Sequence, residues 1–108
     1  MEFVLLIPEG KENAIKRSDL VKTCVDLGFV EGKDSDRQTR KLIQLARKDH
    51  VILNLSNGEG YYRPSVDDYE ELARYIKQED SRAIKAFANV KKAKALLEDM
   101  KYGRLAYE

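Results

Sequence analysis

The stretch NLSNGEGYYRP, Asn54 to Pro64, decides how the chain is read. Asn57-Gly58 is a strong hairpin signal, because both residues accept positive φ and a reversal needs it there. Val51 to Leu55, VILNL, is apolar and β-branched and predicts the incoming strand. Tyr61 and Tyr62 begin the return strand, and Pro64 ends it. Alternation along that strand predicts one tyrosine in the core and the other exposed. Gly58-Glu59-Gly60 is no nucleotide fingerprint. It lacks the third glycine of a dinucleotide loop and the Gly-Lys-Ser/Thr of a P-loop, and no helix opens after it.

Working back from the turn, SDRQTRKLIQLARKDH (35–50) has the period of a helix. Thr39, Leu42, Ile43 and Ala46 share one face. Arg37, Lys41, Gln44 and Lys48 lie opposite, with Gln38 and Arg40 on the flanks. Ser35 is the N-cap candidate, and Asp36 sits in the first turn, where the helix dipole favours negative charge. A shorter helix precedes it: Ser18 as N-cap, then Asp19 to Cys24 with Leu20, Val21 and Cys24 on one side. Leu27 to Lys33 and Lys11 to Lys16 read as loops, and Phe3 to Ile7 as a helical turn or a short strand. Leu20, Val21, Leu42, Ile43, Ala46 and Ile52 form the expected core.

Beyond Val66 the pattern changes. Tyr69, Ile76, Ala83, Val90 and Leu97 recur at every seventh residue, and Leu72, Ala86, Ala93 and Met100 fall three further on. Ala73 and Phe87 widen the stripe, and Glu79 interrupts it. This predicts one long helix, or two meeting at Asp80-Ser81. Tyr69, Leu72, Ile76, Ala83, Phe87, Val90 and Leu97 are the candidate dimerisation residues. Residues 66–80 are mainly acidic and residues 81–95 purely basic, so pairing of two copies is expected to be antiparallel.

A short helix, a basic-faced helix and a glycine-hinged hairpin together predict a winged helix-turn-helix over residues 1–65. Residues 66–108 follow as a C-terminal helical segment. The fold class is mainly α with a small β-hairpin. In such an arrangement the second helix enters the major groove of double-stranded DNA, and the hairpin touches neighbouring backbone. Arg and Gln suit base edges, and Lys suits phosphate. The candidate contact set is Ser35, Arg37, Gln38, Arg40, Lys41, Gln44, Lys48, Asn57, Gly58 and Arg63. The competing reading is a protein-interaction module whose working surface is the C-terminal helix.

Three motifs also carry a family resemblance: IPEGKENAIKRSDL (7–20), SDRQTRKLIQLARK (35–48) and NGEGYYRPS (57–65). Together they resemble small winged-helix proteins encoded by bacterial phages and prophages, over roughly residues 5 to 100. That resemblance implies DNA binding, with a regulatory or replication-associated role. The connection VDLGFVEGKD (25–34) is longer than the family's usual one.

Composition bounds the rest. The chain has 108 residues, 43% hydrophobic and 36% charged, with a net charge of +1. No apolar run spans a bilayer, and Glu2 stands where a signal peptide would be basic. A lone cysteine, Cys24, fits a reducing cytoplasm. One cysteine and one histidine, His50, are too few for the usual zinc sites. His50 is expected to act through the dipole at a helix C-terminus. No catalytic group, metal, cofactor or small-molecule substrate is expected.

Overall fold

A computed structural model describes residues 1–102. It divides into two units, Met1–Leu72 and the residues from Ala73 onward. The division falls inside the last helix, beyond Ser65, because Asp68 ties the start of that helix to the first unit. The Asp68 carboxylate accepts from the Ser65 amide at 2.9 Å, the Ser65 hydroxyl at 3.2 Å and the Lys11 amide at 3.1 Å. These donors hold its pKa below the ordinary value, the Ser65 amide first, against an opposing desolvation.

The first unit combines two helices with a small three-stranded sheet, in keeping with the expected mainly α fold with a small hairpin. A 3-10 turn at Phe3–Leu6 and another at Lys11–Asn13 lead into strand β1, Ile15–Lys16. Helix α1 spans Arg17–Asp26 and helix α2 Ser35–Ala46. Strands β2, Leu53–Asn54, and β3, Gly60–Tyr62, form the hairpin. The antiparallel sheet has the order β1-β3-β2.

Strand β1 corrects the expectation of a loop up to Lys16. Its two residues are too few for any period to show. They become a strand only because β3 is there to pair with, Ile15 opposite Tyr61 and Lys16 opposite Gly60. The strand expected over Val51–Leu55 contracts to Leu53–Asn54. With partners on both sides β3 is the central strand, and Tyr61 and Tyr62 are both buried. The expected exposed tyrosine is therefore absent.

Helix α1 starts at Arg17, with Lys16 as its extended N-cap, so Ser18 lies inside the helix. Its end is chemically explicit. Gly28 takes φ +82°, the Gly28 amide donates to Val25 O at 3.1 Å, and the Phe29 amide donates to Cys24 O at 2.8 Å. This is a Schellman closure, and it turns the chain so that Val30 enters the core. Phe29 then meets Phe3 edge to face, with ring centroids 6.1 Å apart.

The core joins Val4, Ile7, Leu20, Cys24, Val30, Ile43, Ile52 and Tyr61. Of the expected set, Leu20, Ile43 and Ile52 are buried, whereas Val21, Leu42 and Ala46 are half-buried. Full burial of each large aliphatic contributes about 1.5–3 kcal/mol. Burial pushes the Cys24 thiol above its usual pKa, with the Thr39 hydroxyl opposing. A buried thiol held protonated is a packing group and a poor nucleophile.

In the second unit, helix α3 (Tyr69–Lys101, 33 residues, beginning in the first unit) runs without a break through Asp80-Ser81. Ser81 does not cap a new helix, since its hydroxyl donates to Lys77 O one turn back at 3.0 Å. Among the described residues, no helix is long and apolar enough to cross a membrane.

Candidate nucleic-acid interface

Helix α2 begins on Asp34 as N-cap, one residue before the expected Ser35. Ser35 is buried in the first turn, and its hydroxyl donates to Gly32 O at 2.7 Å. It positions the helix and is not placed to meet a phosphate. Thr39, fully buried, bonds its hydroxyl back to Ser35 O at 2.8 Å. With Ile43 it fixes which face of α2 turns inward.

The opposite face is open. Arg37, Arg40, Lys41, Gln44, Leu45 and Lys48 are all exposed. The side chains of Arg37, Lys41, Gln44 and Lys48 make no hydrogen bond or ion pair with another described residue. Arg37 to Gln44 covers about 10 Å of helix at 1.5 Å per residue. Leu45, 57% exposed, stands among them and is the apolar member that the charge pattern hid. Lys48 lies past the last helical residue, in a turn where the His50 amide donates to Ala46 O at 2.9 Å.

Other candidates have structural duties. The Gln38 amide clasps the backbone of Glu31, accepting from its N–H at 3.3 Å and donating to its carbonyl at 3.1 Å. It closes the connection between α1 and α2. Arg40 pairs with Asp36 at 3.2 Å, and Asp36 also takes Arg17 at 3.2 Å. All three side chains are about half exposed, so the pairs are weak and Arg40 can exchange Asp36 for another anion. Arg63 corrects its place in the contact set. Its Nε donates to Ile7 O at 2.7 Å, its amide to Pro8 O at 2.7 Å, and its carbonyl accepts from Gly10 N at 2.7 Å. It locks the N-terminal segment against the end of β3.

Arg47 belongs to neither expected face. Its Nε donates to Ile52 O at 3.2 Å and its Nη2 to Asn54 Oδ1 at 2.8 Å. One side chain thus ties the end of α2 to β2 and sets the hairpin beside the helix. Sequence offered no signal for this, since one more arginine in a basic run looks like its neighbours.

At the hairpin tip the Asn57 carbonyl oxygen accepts from the Glu59 amide at 3.0 Å, and Gly58 takes φ +74°. The Gly58 amide donates to Leu55 O at 2.8 Å, and the Leu55 amide to Gly60 O at 2.9 Å. Ser56, Asn57, Gly58 and Glu59 are exposed. The NH₂ of Asn57 has no partner among the described residues.

Among the described residues no group of three or more His, Cys, Asp or Glu side chains is placed to hold a metal ion. No protein-family model, curated protein or solved structure matches the chain.

Proposed function

We propose that the chain is a double-stranded DNA-binding protein that lays α2 in the major groove and sets the hairpin tip against the flanking backbone. The observation that carries this is the exposed row Arg37, Lys41 and Gln44, their side chains unpartnered, on the outer face of the second of two helices, with Lys48 exposed in the turn that follows. The groove admits a helix. Arg37 and Gln44 have the donor geometry for guanine and adenine edges, Leu45 suits a thymine methyl, and Lys41 and Lys48 suit phosphate. Helix α1 crosses over the backbone, and the Asn57 NH₂ at the tip donates to phosphate or minor groove. Asp36, Asp49 and Glu59 lie close to these cations in sequence, so affinity per chain is modest and falls steeply with salt.

The resemblance to phage and prophage winged-helix proteins supports the same class and a regulatory or replication-associated role in the cytoplasm. The competing class is a protein-interaction module, favoured by the exposed apolar residues of α3, among them Ile76, Phe87 and Leu97.

Selection of a preferred duplex, followed by alanine variants, tests the proposal. Arg37→Ala and Gln44→Ala each weaken the preferred sequence by about 1–3 kcal/mol and leave non-specific DNA nearly unchanged. Lys41→Ala weakens every sequence alike and lowers the salt slope by about 1. Equal losses on all sequences for all three variants would place the helix along the backbone. No binding to any duplex at low salt would leave the interaction module.

A further inference from the structure

We propose that α3 pairs with the α3 of a second copy, antiparallel, about a two-fold axis between Ile84 and Lys85. Two observations carry this: the helix is unbroken from Tyr69 to Lys101, and the large apolar side chains of its heptad stripe are exposed from Ile76 to Met100. An uninterrupted helix keeps the seven-residue stripe on one side, which is the surface that a second helix covers.

Charge selects the second copy and its direction. Glu79 is the one charged residue in the stripe. Parallel, in-register pairing sets Glu79 against Glu79 inside the seam. Antiparallel pairing sets Glu79 against the partner's Val90, and Asp80 beside the partner's Lys94. The same alignment puts Leu72 on the partner's Leu97, Ile76 on the partner's Ala93, and Ala83 on the partner's Ala86. Every seam residue thus meets a seam residue in one register. Small side chains at the central layer let the backbones approach, and Phe87, 74% exposed, flanks that layer from both copies. The acids toward the helix ends, Glu70, Glu71, Glu98 and Asp99, are rotated well away from the seam and do not oppose the pairing.

The seam is rich in alanine, so the dimer is expected to dissociate on dilution. Sedimentation equilibrium over a wide concentration range reads the association. A substitution at Val90 then reads its direction. Val90→Lys meets Glu79 of the other copy and keeps the dimer. Val90→Glu meets the same carboxylate and weakens it more than about tenfold. A spin label on Glu98→Cys adds geometry, because Cys24 is buried and does not compete for the label. The two labels stand about 40 Å apart along the antiparallel pair, at 1.5 Å per residue. A parallel pair brings them within roughly 20 Å, since packed helix axes are 8–10 Å apart. The expected result is a dimer tolerant of Val90→Lys with the long distance. A monomer at every concentration, equal damage from the two Val90 variants, or the short distance would each overturn the proposal. No step uses nucleic acid, so its failure leaves the DNA reading standing, and the reverse holds.

Discussion

The two glycines of the hairpin are two residues apart and are needed for different reasons, which substitution separates. At Gly60 an added Cβ would sit 2.9 Å from Leu55 Cδ1 and 3.0 Å from Ile15 O. The Leu55 side chain can turn aside, but the Ile15 carbonyl is β1 backbone and moves only if the β1–β3 pairing yields. Overpacking of this kind costs about 1–3 kcal/mol. Taking 2 kcal/mol, Gly60→Ala lowers the melting temperature by roughly 10 °C, at about 4–8 °C per kcal/mol for a unit of this size. At Gly58 an added Cβ meets nothing within 4 Å, but φ is +74°. Gly58→Ala therefore costs only the left-handed strain, about 1 kcal/mol, and Gly58→Asn recovers most of it because asparagine tolerates that region. Urea unfolding followed by circular dichroism gives the order, provided the denaturant slope is unchanged between variants. Gly60→Ala proving no more costly than Gly58→Asn would refute the close approach of β1 and β3.

Three further outcomes are expected. Arg47→Ala loses both bonds between the end of α2 and β2 and costs about 1 kcal/mol in urea unfolding, the exposure of the pair to Asn54 limiting the loss; Arg47→Lys does not restore it, because one ammonium cannot serve both acceptors in the guanidinium's geometry. The depressed pKa of Asp68 stabilises the fold while the carboxylate is charged: the contribution is complete above the unfolded value of about 3.9 and is lost as pH falls through the lower folded value. Asp68→Asn is thus less stable at neutral pH, and its acid unfolding curve is flatter than that of the unmodified protein. Gln38→Ala releases Glu31 and speeds amide exchange in the 28–34 connection, with little effect on the 54–62 hairpin.

Several elements were legible because a local chemical rule sufficed. Helix α2 announced itself through Thr39, Leu42, Ile43 and Ala46, and the turn through Asn57-Gly58. Helix α3 showed in its heptads, although its continuity did not: Asp80-Ser81 has the composition of a cap, and neighbouring turns of good helix formers override it. What stayed hidden depends on contacts distant in sequence. Ile15–Lys16 is a strand only beside Gly60 and Tyr61. Arg63 looks like a free cation until Ile7 O is found 2.7 Å away. Ser35 and Gln38 read as available polar groups, yet both are spent on the backbone of the 31–34 segment or its edge, at Gly32 and Glu31. Polar residue type alone does not say whether a donor faces water or backbone.

Amide chemical-shift mapping during titration with duplex DNA shows whether the proposed contact lies on the outer face of α2. The first unit and α3 both carry cations, the latter at Arg82, Lys85, Lys91, Lys92 and Lys94, so location decides more than affinity does. Shifts are expected to concentrate at Arg37, Lys41, Gln44, Leu45 and Lys48, with a second group at Asn57 to Glu59, all fading as salt is raised. Shifts confined to residues beyond Ala73, or none at low salt, would contradict the proposed contact.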